Sequence, residues 1–255
     1  MIPYFEQPRL DVGPLHFSAF GVLWIGAILV ARFIIMHRAT RRGFDANLMS
    51  QFLVCSLIGG LAGAHVAKTV LSDLPGFLAE PASMFTRYRG MASFGGLGGG
   101  LLGAILWARL RRLTSARSLL LLDVAAYSLP FGFLVGRLGC ALAHDHRGLS
   151  SNSWISVRFP EGPRYDLGVI EFLYLIVLST VFLLVDRRPR QAGLYFGLFG
   201  VLYGGFRIWL DTLHVRPFRF IEGAVATLAG VAGLVAMFAL TERERTRSLP
   251  APGQP

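Results

Sequence analysis

The sequence predicts an all-α integral membrane protein: seven transmembrane helices, N-terminus outside and C-terminus inside, with small periplasmic surface elements. Three observations predict it. Apolar residues make up 53% of the chain and charged residues 16%, against roughly 25% charged in soluble domains. Apolar stretches of spanning length recur along the chain, and short arginine-rich loops alternate with loops less rich in arginine. Mean hydropathy is +0.53. The net charge of +10 comes from 25 basic and 15 acidic residues, with Lys68 the only lysine. In a soluble chain that balance would point to nucleic acid. Here arginines flanking apolar segments explain it, and no nucleic-acid partner is expected.

Crossing the hydrocarbon takes about 20 apolar residues in a helix. Stretches at 17–36, 48–71, 91–108, 118–142, 168–185, 193–210 and 220–240 qualify. Before the first lie Pro3, Glu6, Pro8, Asp11 and Pro14 rather than a basic start, so the first span is expected to act as the targeting signal. Short loops rich in arginine follow the first span (Arg38, Arg41, Arg42), the third (Arg109, Arg111, Arg112, Arg117) and the fifth (Arg187, Arg188, Arg190). Arg243, Arg245 and Arg247 follow the seventh. The positive-inside rule places these in the cytoplasm and the loops 72–90, 143–167 and 211–219 outside. Within 143–167, the alternation from Trp154 to Phe159 predicts a short strand or hairpin on the membrane surface. Residues 1–247 are expected to form a single transmembrane domain. Residues 248–255, rich in proline and glycine, read as a disordered tail.

Cys55 and Cys140 fall at different depths in spans running the same way, which argues against a disulfide. Neither has a ligand-spaced partner, so no metal and no other cofactor is expected.

Ionisable groups at membrane depth are costly, and each is a functional candidate. Gly136-Arg137-Leu138-Gly139-Cys140 ends the fourth span, followed by His144-Asp145-His146-Arg147-Gly148 where the chain emerges. A snorkelling arginine is the plain reading. The functional one is a planar guanidinium held for phosphate oxygens, with titratable groups above it. Tyr203-Gly204-Gly205-Phe206-Arg207 closes the sixth span, with Asp211 spaced i,i+4 from Arg207 to pair on one face. Two arginines near the same leaflet favour a shared anionic ligand. The run Ser93-Phe94-Gly95-Gly96-Leu97-Gly98-Gly99-Gly100 serves close helix packing or the approach of a headgroup to backbone. Gly59, Gly60, Gly63, His65 and Lys68 in the second span and Glu171 in the fifth complete the set. A lone intramembrane histidine or glutamate most often makes an inter-helix hydrogen bond.

The chain resembles the prolipoprotein diacylglyceryl transferases of the bacterial inner membrane along nearly its whole length. Phe20-Gly21, Ser93-Phe94-Gly95-Gly96, Gly136-Arg137-Leu138-Gly139, Arg188-Pro189 and Tyr203-Gly204-Gly205-Phe206-Arg207 occur in that family's order. The resemblance implies transfer of a diacylglyceryl group from phosphatidylglycerol to the lipobox cysteine of a preprolipoprotein, at a site towards the periplasmic side. It implies catalytic roles for Arg137, Arg207 and Asp145, with Gly95, Gly96, Gly136, Gly139, Gly148 and Tyr203 around the lipid. Phe94 stands where the family carries a histidine often proposed as the base, and Cys140 and Ala143 stand where it carries asparagines. His144 or His146 is then the candidate base. The alternative is a non-catalytic membrane protein that binds anionic lipid.

Overall fold

The computed structural model describes residues 1–7, 9–12, 15–72, 74–82, 92–188, 191–215, 224, 227–235 and 237–239. Its helices are α1 (Ala19–Arg41), α2 (Ala46–Ser72), α3 (Leu74–Ala79), α4 (Ser93–Leu110), α5 (Ser115–Ala143), α6 (Leu167–Val185) and α7 (Leu194–Asp211). Short strands complete it: β1 (Ile2–Pro3), β2 (Arg9–Val12), β3 (Leu15–Ser18), β4 (Arg147–Ser150), β5 (Val157–Phe159) and β6 (Gly162–Asp166). Among the described residues four helices, α1, α2, α5 and α6, are long and apolar enough to cross a membrane. The chain is a multi-pass membrane protein. A shorter apolar helix runs over Thr227–Ala239. Residues 73 and 83–90 of the expected loop 72–90, Arg190, the arginines after position 240 and the tail 248–255 lie outside the described residues, as do the side chains of Ser93 and Phe94.

The chain forms two compact units, Met36–Ser118 and the combination of Met1–Ile35 with Leu119–Pro255. In the first of these, α2 and α4 touch backbone to backbone because glycines line both faces. A methyl group on Gly59 would lie 2.5 Å from the Gly99 carbonyl oxygen, and one on Gly103 2.5 Å from that of Cys55. Where lipid surrounds helices, apolar burial gives little drive to associate, and close van der Waals approach through small residues supplies it instead. The Ala92 N–H bonds the Ala64 carbonyl at 3.0 Å, and Phe52 meets Trp107 edge-on at 5.7 Å. Arg111 donates to the Gln51 side chain.

In the other unit, Gly132 and Gly136 of α5 face Ala31 and Ala27 of α1. Pro130 lies inside α5, where it removes one ladder hydrogen bond. The start of α7 is held from outside its own segment. Gly193 takes φ +98°, and the carboxylate of Asp123, buried on α5, accepts from Tyr195 N at 2.6 Å and Phe196 N at 3.1 Å. The orphan N–H groups of a helix start are thus met by a negative charge at its positive end. Tyr195 also donates to Asp186 at 2.6 Å.

Between α5 and α6 the expected hairpin is present, as part of a four-stranded sheet in the order β1-β5-β6-β4. β5 and β6 pair antiparallel, turning through Gly162 at φ +117°. β1 pairs parallel with β5 at Ile2–Val157 and Pro3–Arg158. The end of α7 is stitched to this sheet by Leu149 N to Leu213 O at 2.9 Å and a bridge between Gly148 and His214. Beneath lie buried Leu167, Ile170 and Leu210.

Candidate active site

Three helices bring four ionisable groups and a tyrosine together. Arg137 comes from the last turns of α5 and Glu171 from the second turn of α6. Tyr203, Arg207 and Asp211 recur every fourth residue on α7 and so share one face. Glu171, 1% exposed, is the hub. Arg137 Nε reaches one carboxylate oxygen at 3.0 Å, and the Tyr203 hydroxyl donates to that same oxygen at 2.6 Å. Arg207 Nη1 donates to the other at 3.0 Å. Arg207 Nη2 donates to Asp211 at 2.9 Å, as the i,i+4 spacing predicts. Two guanidiniums and two carboxylates leave no formal charge, which is what makes their burial tolerable. Tyr203 stacks on Phe199 at 4.9 Å and meets Phe133 edge-on at 5.5 Å, which fixes its hydroxyl. The Arg137 side chain keeps 12% exposure, against 6% for Arg207.

Past Arg137 the chain leaves α5 through His144, which adopts φ +51°. A residue in the left-handed region ends many helices, but glycine is the usual occupant. His144 is held there by its neighbours. Its Nδ1 lies 2.6 Å from Asp166 Oδ2, and the rings of Phe5, Tyr4 and Phe159 lie 4.6, 5.2 and 5.8 Å from the imidazole. The other oxygen of Asp166 caps α6, accepting from Gly168 N at 2.9 Å and Val169 N at 3.3 Å. Burial pushes the Asp166 carboxyl above its ordinary pKa, against the pull of the bond from His144 and the backbone bonds.

The structure divides the His144–Asp145–His146 cluster. His144 turns inward, while Asp145 and His146 stay partly exposed and pair with each other at 2.5 Å. Ligand atoms of Cys140, Asp145 and His146 lie within 4.8 Å of one another, a grouping that spacing alone did not indicate. Arg137 Nη1 sits 3.8 Å from the Cys140 sulfur, and that positive charge disfavours a metal cation there.

The glycines are packing positions in this structure. Methyl groups on Gly136 and Gly139 would lie 3.6 Å from Ala27 Cβ and 3.4 Å from Phe20 Cα, and one on Gly148 2.7 Å from the Leu213 carbonyl oxygen. Gly95 and Gly96 belong to the other compact unit, on the α4 face against α2. Sequence reasoning treated Glu171 as an inter-helix hydrogen-bonding residue, which it is, but did not place it between the two arginines. Asp166 was missed, although an aspartate just before an apolar helix is a capping signal.

A family model described as prolipoprotein diacylglyceryl transferase matches residues 8–241. Similar proteins named phosphatidylglycerol–prolipoprotein diacylglyceryl transferase occur in several bacteria. That of Geobacter sulfurreducens is 28% identical over 235 residues, 89% of this chain and 87% of its own length. That of Chromohalobacter salexigens is 30% identical over 220 residues, 84% and 81% of the two chains. That of Mannheimia succiniciproducens is 28% identical over 216 residues, 82% and 80%.

Proposed function

The chain belongs to the prolipoprotein diacylglyceryl transferase family, and on that premise we propose that it moves the diacylglyceryl group of phosphatidylglycerol onto the thiol of a lipobox cysteine in a preprolipoprotein. The observation that carries this reading is the buried cluster of Arg137, Glu171 and Arg207.

In the reaction the cysteine sulfur bonds to the terminal glycerol carbon and the bond from that carbon to the phosphate oxygen breaks. Glycerol phosphate leaves with the electron pair, and the thiol proton is taken up by a base. Arg137 and Arg207 suit the phosphate, because a planar fork of N–H donors matches its oxygens and stabilises charge growing on the leaving group. An arriving phosphate competes with Glu171 for both guanidiniums, so lipid binding is coupled to that carboxylate and to the Tyr203 hydroxyl that donates to it. His144, Asp145 and His146, where α5 ends, are the groups placed to handle the proton. Gly136, Gly139 and Gly148 let the surrounding elements close on the site. Gly95 and Gly96, packed on α4 against α2, are assigned no part in the transfer.

We further read the chain as crossing the bacterial cytoplasmic membrane seven times, N-terminus outside, with the site towards the periplasmic leaflet. The arginine-rich loops support that orientation. The test is transfer from phosphatidylglycerol to a lipobox peptide by the purified protein, together with complementation of a transferase-depleted bacterium. Arg137→Ala or Arg207→Ala is expected to lower turnover by about 10²–10³-fold, the size of loss seen when a charge-stabilising donor is removed. Turnover indifferent to both would sink the assignment. Phosphatidylglycerol bound but never cleaved would make the chain a lipid-binding protein instead.

A further inference from the structure

We propose that His144 and Asp166 form a dyad in which His144 Nε2 takes the proton of the lipobox thiol and Asp166 holds the imidazole in the tautomer that leaves Nε2 bare. The proposal rests on the transfer reaction above and names its base. Four observations carry it.

The first is the bond itself. His144 and Asp166 side chains are 2% and 0% exposed, and Nδ1 and Oδ2 are 2.6 Å apart. A carboxylate only accepts, so Nδ1 carries the hydrogen and Nε2 keeps its lone pair. The second is the rigidity of the partner. The remaining oxygen of Asp166 is committed to Gly168 N and Val169 N at the start of α6, so the carboxylate cannot swing away without uncapping a helix. The third is Nε2, a buried nitrogen that makes no hydrogen bond among the described residues. Leaving a buried polar atom unmet costs about 1–3 kcal/mol, and such atoms in a folded protein ask for an explanation. The fourth is the backbone at φ +51° on a non-glycine residue, a strain that concentrates at functional positions.

Access follows from what covers the ring. Phe5 stands nearest and is 41% exposed. It lies just beyond β1, a two-residue edge strand. Among the described residues that segment is held by two β1–β5 pairs and the Ile2 N to Ser156 O bond, so local opening there costs little and would bare Nε2 to a thiol. The aromatic walls of Tyr4 and Phe159 exclude water from the proton transfer. His146, paired with a partly exposed Asp145, has no such shelter. The balance is simple. The S–H proton passes to Nε2, the sulfur pair makes the C–S bond, and the C–O pair leaves on glycerol phosphate. The imidazolium then returns its proton to the departing phosphate or to water. Asp166 touches no reacting atom and is a positioning residue.

The experiment is steady-state transfer by the full chain in phosphatidylglycerol nanodiscs with a lipobox peptide. His144→Ala is expected to lower kcat by about 10²–10⁴-fold, the range for a lost general base, while KM for the lipid stays within about twofold and added imidazole restores part of the rate. Asp166→Asn keeps a helix cap, so its expected loss, about tenfold or more in kcat, reads on His144 alone. In ¹⁵N-histidine spectra the wild type should show His144 protonated on Nδ1 with Nε2 bare at neutral pH, and Asp166→Asn should mix the tautomers. Where His144→Ala fails to fold, His144→Gln fills the same space and is read by its turnover. Full turnover in either His144 variant, or a spectrum with the proton on Nε2, overturns the dyad while leaving the transferase reading intact. A wild type that transfers nothing overturns the transferase reading, and the dyad with it.

Discussion

Glu171 shows how one side chain governs the site. Its carboxylate, buried and shared by Arg137, Arg207 and Tyr203, is the reason two guanidiniums can stand together away from water. Removing one member of a buried ion cluster strands the others, at a cost of about 3–5 kcal/mol. Glu171→Ala is therefore expected to lose that much stability, measured by unfolding in detergent, and to lose transfer as well. Tyr203→Phe deletes one neutral donor and should cost about 1 kcal/mol. Arg137→Lys keeps the charge but not the fork. It should bind phosphatidylglycerol more weakly in a lipid-binding assay, without the stability loss of Glu171→Ala.

At the scale of elements, the termini and faces of helices carry what their interiors do not. The start of α7, which positions Tyr203 and Arg207, is capped by Asp123 from α5. Asp123→Ala should destabilise the protein by about 1–2 kcal/mol and lower transfer by tilting α7, although position 123 touches no reacting group. On α4 the glycines divide sharply. A methyl group on Gly98 meets nothing within 4 Å, whereas one on Gly99 strikes the Gly59 carbonyl oxygen. Gly98→Ala should be neutral or add up to about 1 kcal/mol, since alanine is the better helix former. Gly99→Ala should destabilise, and equal melting temperatures for the two variants would refute the packing account. His144 belongs partly to this scale, because its left-handed turn ends α5 and sends the chain into β4.

For the whole molecule the informative quantity is the distribution of charge along the chain. The arginines gathered after the first, third and fifth spans are what supports the proposed orientation. A cysteine at position 153, in the loop before β5, should react with an impermeant thiol reagent added to spheroplasts. One at position 43, between α1 and α2, should react only after lysis. The reverse pattern would invert the topology.

Most of the helical framework was legible before any coordinates. A helix in lipid must be apolar along its length, and each expected span from 17–36 to 193–210 meets a helix within a few residues. The hairpin near Trp154–Phe159 followed from alternation, and the Arg207–Asp211 pair from helical spacing. What one-dimensional pattern cannot carry is which distant groups meet. Arg137, Glu171 and Arg207 lie on three helices, and only packing decides that one carboxylate serves both arginines. Spacing likewise treated His144 and His146 as equivalents. The left-handed turn and the carboxylate of Asp166 separate them, turning one imidazole inward and leaving the other partly exposed. Hydrophobic length and loop charge act locally and are written in sequence order. Ion-pair partnership and burial depend on three-dimensional neighbours, and the tertiary structure alone decides them.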